Sequence, residues 1–397
     1  MHDAVVIGAG PAGLQTARQL AQRGLEVAVL EEHQVVGDPV HCTGVLAREA
    51  FTEFSLSSDP ILNELTTARF LSPSGQDIVH RTRTVEAVVV DRAIFDRQLA
   101  DHAVQAGAQL VRGARATGVT IGARQVSIEV SGQAPLLARS CVLACGGRYA
   151  LHRQLGLGVP SLFLHTAQRE LPASSPGDVE VHFGSEIAPR GFAWVVPVLR
   201  GGRSFARIGV MAEDQTPTYF NRMVARVGSR WGVAIGPGDH PRQKILPLSR
   251  ISRTYGNRFI AVGDAAGLVK PTTGGGIYYS LVSASIGAAV LTNALAQDDL
   301  SAERLSEYER HWRARLETEL DTQLSFRLLA QRMPDEDIES LFTLARTDGV
   351  MPIVRRTASF NQHRKLIVAL LKHAPARQLI CNGVGSHLRR TLADWVM

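Results

Sequence analysis

Two unbroken apolar runs, Ala4-Val5-Val6-Ile7 and Val27-Ala28-Val29-Leu30, flank a stretch in which apolar residues recur at helical spacing from about Pro11 to Arg23. Runs without alternation suit parallel strands buried on both faces, and Gly24 is a natural helix stop. Residues 3–31 therefore predict strand, glycine turn, helix, strand. A second amphipathic helix is expected from Arg92 to the Gly107 stop. Strands around Ala108–Val111 and Val126–Val130 follow, and then a short β-rich run, Ser140–Ala144, that enters Cys145-Gly146-Gly147. From about 160 to 250 the pattern becomes short and alternating, as in Val179–Phe183, Phe192–Val198 and Arg203–Val210, which predicts an inserted antiparallel sheet. The parallel pattern returns at Phe259-Ile260-Ala261-Val262, and beyond about residue 300 the chain reads as amphipathic helices.

No charge occurs between Lys270 and Asp298, a length that would span a bilayer. Pro271, a glycine triplet, two tyrosines and several serines in that stretch favour a buried helix beside a cofactor instead. Of the 397 residues, 45% are hydrophobic and 20% charged, which excludes a disordered chain. Forty-three Lys and Arg against 37 Asp and Glu leave a formal charge of +6, which suits anionic partners such as dinucleotides or phospholipid headgroups. Nucleic acid is not expected, because no basic stripe interleaves with aromatics. Cys42, Cys141, Cys145 and Cys381 have no zinc or iron–sulfur spacing, and a reducing cytoplasm is the simplest setting. The opening apolar run reads as a strand entering a turn rather than as a signal peptide.

Gly8-Ala9-Gly10-Pro11-Ala12-Gly13 is a G-x-G-x-x-G between a strand and a helix. Such a turn lets the backbone approach a pyrophosphate, and the helix N-terminus offers it free N–H groups. Glu31, with Glu32 beside it, ends the second strand where a carboxylate can hold a ribose diol. This motif alone does not separate NAD from FAD. Gly263-Asp264-Ala265-Ala266-Gly267, followed by Thr273-Gly274-Gly275-Gly276-Ile277, does. A strand-end Asp can accept from ribityl hydroxyls, and a glycine turn opening a helix can aim N–H groups at a flavin pyrimidine edge. FAD is the expected cofactor. The fold expected is α/β: a discontinuous Rossmann-like FAD-binding domain (1–158 and 251–296), an inserted antiparallel-sheet substrate domain (159–250) and a C-terminal helical region (297–397).

With Pro39-Val40-His41-Cys42-Thr43-Gly44 and Val89-Val90-Asp91-Arg92-Ala93-Ile94-Phe95-Asp96, these segments resemble para-hydroxybenzoate hydroxylase-type flavoproteins, and within them the geranylgeranyl reductase family, from residue 1 to roughly 325. The resemblance implies that Arg92 and the backbone of Cys42, Thr43 and Gly44 line FAD, that Ala116 lies near its adenine end, that Gly276 and Ile277 meet its ring, and that Gly274 and Gly275 also belong to the cofactor site. It also implies a cysteine beside the flavin at Cys42, which reads either as a polarizable thiol that helps protonation or as a small buried residue. Tyr278, and Tyr279 next to it, are the other proton-source candidates. Pro189–Pro197 resembles the family's Tyr-x-Trp-x-Phe-Pro signature, with Phe192 in place of Tyr and Val196 in place of Phe. Phe192, Trp194 and Val196 share one strand face, either as the wall of an isoprenoid tunnel or as ordinary core.

The expected activity is reduction of C=C bonds in a geranylgeranyl-type chain on a lipid, quinone or related small molecule. The alternative is a flavin monooxygenase that hydroxylates an apolar or aromatic substrate. Halogenases on this scaffold need an N-terminal lysine, and the first lysine here is Lys244. Cys145 stands where the superfamily usually carries Asp, so the electron donor is either NAD(P)H or a ferredoxin-like carrier. The cations around Leu366–Leu371, with Arg389 and Arg390, suit either peripheral contact with the inner membrane surface or a core helix with solvated ends.

Overall fold

The computed structural model describes residues 1–381 apart from 175–176, 237 and 348. Arg389 and Arg390 therefore lie outside the described residues. The chain forms two compact units, each assembled from three segments. One comprises Met1–Val40, Asp91–Phe163 and Pro247–Leu320; the other comprises His41–Val90, Leu164–Leu246 and the chain from Asp321 onward.

The first unit is built on parallel strands. His2–Ile7 lies between Val27–Glu31 and Leu136–Leu143, with Ala4 opposite Val27 and Val5 opposite Cys141. Gln109–Arg112 extends one side and Phe259–Ala261 the other. Ala4–Ile7, Val27–Leu30 and Phe259–Ala261 are buried throughout, which is why these runs are apolar without alternation. Leu136–Leu143 starts earlier than the predicted Ser140, because its first residues pair antiparallel with Val126–Val130. The helix Pro11–Ala21 packs on the helix Ile277–Ala296, where Gln15 and Gln19 reach Ser285 at 3.3 and 3.0 Å. That second helix is long and apolar enough to cross a membrane, yet 67% of its most apolar window is buried within the protein. It is uncharged because it is a core helix: Gly287 lies against Ile260 and Val262. The helix Arg92–Gln105 is capped by Asp91, whose carboxylate accepts from the N–H groups of Ala93 and Ile94.

The second unit carries a seven-stranded sheet in the order Arg242–Pro247, Phe163–Pro172, Arg203–Ala212, Phe192–Arg200, Val179–His182, Thr67–Leu71, Asp77–Arg81. Pairing is antiparallel between Phe192–Arg200 and its neighbours, and parallel between Val179–His182 and Thr67–Leu71. The helix Thr216–Trp231 covers one face through Phe220, Met223, Val224, Val227 and Trp231. A small sheet of Val45–Ala47, Ala87–Val90 and Ile61–Leu65 completes the β structure. Of the C-terminal helices, Arg364–Lys372 buries Ile367 and Leu371 against Leu329 and Ile380, so the centre of its apolar run is core.

Candidate flavin and substrate sites

The glycine turn packs as its motif requires. A Cβ at Gly13 would lie 2.0 Å from the Gly8 carbonyl oxygen, so strand and helix meet without room for a side chain. At Gly10 an added Cβ would meet nothing within 4 Å. Gly10 is also the N-cap of Pro11–Ala21, with no side chain capping the helix. An open space bounded by uncapped N–H groups is what a pyrophosphate needs, so this cradle fits FAD. Glu31 is fixed beside it: one carboxylate oxygen accepts from the Ala9 N–H at 2.9 Å and the other from the His33 N–H at 3.0 Å. Glu32 turns instead toward Arg148. Ala116 opens the strand Ala116–Ile121, and the nearby Ala114 N–H donates to the Glu31 carbonyl at 2.8 Å. Arg92 is oriented by Asp96, one helical turn on, which accepts from Nη2 at 2.8 and 2.9 Å.

Asp264 sits in the 3-10 turn Gly263–Ala266. Its Oδ1 is 2.6 Å from where a Cβ on Gly276 would fall, so the carboxylate lies directly against the N-cap of Ile277–Ala296. Asp264, Gly276 and Ile277 are thus gathered at one helix start, and Gly274 and Gly275 close the turn by backbone bonds with Lys270. Two residues without any local motif support this turn. The Tyr149 hydroxyl donates to the Asp264 carbonyl, and His152 Nε2 to the Ala265 carbonyl, each at 2.7 Å. Because a carbonyl only accepts, His152 carries its proton on Nε2, and burial holds its pKa below 6.5. Tyr278 is buried, and its hydroxyl accepts from Arg315 Nη2 at 3.3 Å. Burial pushes the Cys145 thiol up to about 11, so it is neutral at pH 7 and does not replace the missing Asp charge.

Cys42, Thr43 and Gly44 belong to the second unit, before the strand Val45–Ala47. The Gly44 N–H points at Cys42 Sγ at 3.4 Å, and the Thr43 hydroxyl donates to Gln168 at 2.8 Å. The buried guanidinium of Arg207 holds this segment. Nη1 donates to the carbonyls of Thr43 at 2.6 Å and Val90 at 2.9 Å, while Nε donates to Glu170 at 2.7 Å. Arg207 is opposite Val196 across the sheet, and Gly209 is opposite Trp194, so all four face the same side. Val196 is core, packed with Val89 and Val198. Phe192 and Trp194 remain half-buried, their ring centroids 5.8 Å apart, and Trp194 Nε1 has no acceptor among the described residues. The row runs on through Phe183, 6.4 Å from Phe192, to Phe342, 6.2 Å from Phe183.

On the opposite face, Glu180 and His182 form a buried pair at 2.8 Å, with Arg230 on the outer side of Glu180. The side chains of Glu180 and His182 are both almost fully enclosed. The pair points at the helix Thr216–Trp231, away from the aromatic row, and no spacing signal marks it.

The pattern of the pyridine nucleotide-disulphide oxidoreductases matches residues 2–171, and that of the lycopene cyclases matches residues 192–347. Digeranylgeranylglycerophospholipid reductase of Methanosarcina acetivorans is 30% identical over 372 residues, covering 86% of this chain and 88% of its own. The enzyme of that name from Methanopyrus kandleri is 30% identical over 375 residues, covering 88% of this chain and 98% of its own. Among solved structures, a geranylgeranyl bacteriochlorophyll reductase-like protein from Thermoplasma acidophilum superimposes with a TM-score of 0.82 at 24% identity, over 94% of this chain and 96% of its own. Halogenase PltM in complex with phloroglucinol and FAD gives 0.69 at 17% identity, over 96% and 85%, a likeness of fold alone. The fold and the cradle thus define an FAD-dependent oxidoreductase. Within that class, the chain belongs to the geranylgeranyl reductase family.

Proposed function

We propose that the substrate is a phosphate-bearing isoprenoid lipid, as the names of the relatives suggest, and that its isolated trisubstituted double bonds are reduced. The observation that carries this reading is the aromatic row Phe342, Phe183, Phe192 and Trp194, an unbroken line of ring contacts beside a strand that carries no side chain at Gly209. Reduced FAD supplies hydride when bound. Asp264 and the Gly274–Ile277 helix start take the ribityl and pyrimidine end, Arg92 the pyrophosphate region, Glu31 the ribose, and Ala116 the adenine side. An isolated C=C is a poor hydride acceptor, so the second carbon needs a proton donor and the site must exclude water. Cys42, held by the Gly44 N–H, and Tyr278, held by Arg315, are the two candidates for that proton. With Cys145 standing where related flavoproteins carry an Asp, the missing carboxylate favours a ferredoxin-like donor over NAD(P)H. Peripheral membrane contact through Arg364, Lys365 and Lys372 would bring the enzyme to its lipid, and flotation with anionic liposomes that is lost at high salt is the expected result.

Anaerobic incubation of dithionite-reduced enzyme with a geranylgeranylated phospholipid tests the function. The expected products are heavier by two hydrogens for each bond reduced, with matching flavin reoxidation. If prenyl substrates are ignored and an aromatic one is oxygenated when air is admitted, the hydroxylase reading replaces this one.

A further inference from the structure

Arg327 lies on the helix Ala302–Ala330, in the part of it that belongs to the second unit. Its side chain is buried, with the residue only 6% exposed. Its Nη2 donates to the carbonyl of Arg190, two residues before Phe192. Among the described residues its buried Nε has no acceptor and no carboxylate pairs with it. Burial alone pushes its pKa down, to about 10, so it still carries its charge at pH 7. Other buried cations of this unit are treated differently: Arg207 has Glu170 and two carbonyls. Arg190 itself gives its guanidinium to Glu213, so its carbonyl, not its charge, faces Arg327.

A buried guanidinium with one neutral partner and its Nε donor idle is unfavourable, and an arriving anion would relieve that. The fork of an arginine matches the oxygens of a phosphate. We propose that Arg327 anchors the anionic end of the substrate, a phosphate or diphosphate group, while the neighbouring Phe192, Phe183 and Trp194 row takes the hydrocarbon. This rests on the isoprenoid reading above and adds the polar end of the same ligand. The anion has two sources, a phospholipid headgroup or a free prenyl diphosphate, and both present the same oxygens.

Equilibrium binding to the oxidised, FAD-loaded protein decides the matter. Two matched pairs serve as probes: geranylgeranyl diphosphate against geranylgeraniol, and a di-geranylgeranyl phospholipid against its headgroup-free glycerol diether. The wild type should prefer the charged member of at least one pair, and the pair that discriminates identifies the source. Arg327→Met should weaken the charged member roughly 10- to 100-fold, the range for one charge-assisted hydrogen bond. The neutral member should stay within about twofold. Arg327→Lys keeps a cation without the fork and should fall between; it decides the question if the Met variant does not fold. Equal affinity of wild type for charged and neutral members overturns the anchor while leaving the isoprenoid reading intact. So does a variant that weakens both members alike, which would mark Arg327 as structural. If wild type binds no prenyl chain at all, the isoprenoid reading fails and the anchor with it.

Discussion

Gly209→Ala is the sharpest test of the aromatic wall. A Cβ at this position would sit 2.2 Å from Cζ2, 2.3 Å from Cε2 and 2.8 Å from Nε1 of Trp194. These are atoms of a rigid ring, so no terminal torsion can relieve the overlap and the whole indole must swing. Overpacking of this kind costs about 1–3 kcal/mol. The backbone at Gly209 is an ordinary strand paired on both sides, to Gln168 and Trp194, so alanine adds no conformational strain of its own. The penalty should therefore belong to the Trp194 contact alone. Urea unfolding of the FAD-loaded protein should show a loss of about 1–3 kcal/mol for Gly209→Ala, and close to none for the same change in a Trp194→Ala background. The coupling energy should thus equal nearly the whole single-mutant effect. The Gly209→Ala enzyme should also shift the number of bonds reduced per chain, because the wall it displaces is the proposed guide. An undiminished penalty in the Trp194→Ala background would refute the placement of the indole over Gly209.

Asp264→Ala should lower FAD retention after gel filtration far more than an exposed substitution such as Glu53→Ala, read from the ratio of flavin to protein absorbance; full occupancy would remove Asp264 from the ribityl role. Arg207→Met strips Thr43, Val90 and Glu170 of a buried partner and should cost about 3–5 kcal/mol of stability in urea, with Arg207→Lys recovering part of it; a loss under 1 kcal/mol would count against the buried network. Burial opposes ionisation of Glu180, but hydrogen bonds from His182 and Arg230 outweigh it and hold its pKa at about 2, below the ordinary 4.5. A depressed carboxylate contributes stability above its unfolded pKa and loses it as pH falls, so Glu180→Gln should flatten the pH dependence of unfolding between about 4.5 and 2. Burial also depresses His182 below 6.5, so its contribution has the same sign and fades as pH drops beneath that value.

What could be read from the chain were features whose physics is local. Gly8 and Gly13 are demanded by a turn and a close approach within six residues, and the uncharged Ile277–Ala296 helix by the burial of most of its residues. The strands Ile61–Leu65, Thr67–Leu71 and Asp77–Arg81 escaped notice because most of their residues are half-exposed, so polar Asn63, Arg69 and His80 blur the alternation. Tyr149, His152 and Arg207 matter through contacts more than a hundred residues away, and neither spacing nor composition marks such partners. Cys145 was visible as a departure from pattern; that its thiol stays protonated required its surroundings.

The contact between Gln15 and Ser285 spans 270 positions of the chain. At a ribosomal rate of ~5–20 residues per second, the first glycine turn waits roughly 15 to 50 s for the helix that packs on it. Until then the opening helix has only its own strands and, once made, the helix Arg92–Gln105 to pack against. Asp264 and Gly276 emerge only after the whole intervening sheet, so the turn at Gly263 meets Ala12 of the first glycine turn late in synthesis. A nascent chain stalled before Phe259 would leave the opening helix without the Ile277–Ala296 helix that covers it in the finished unit.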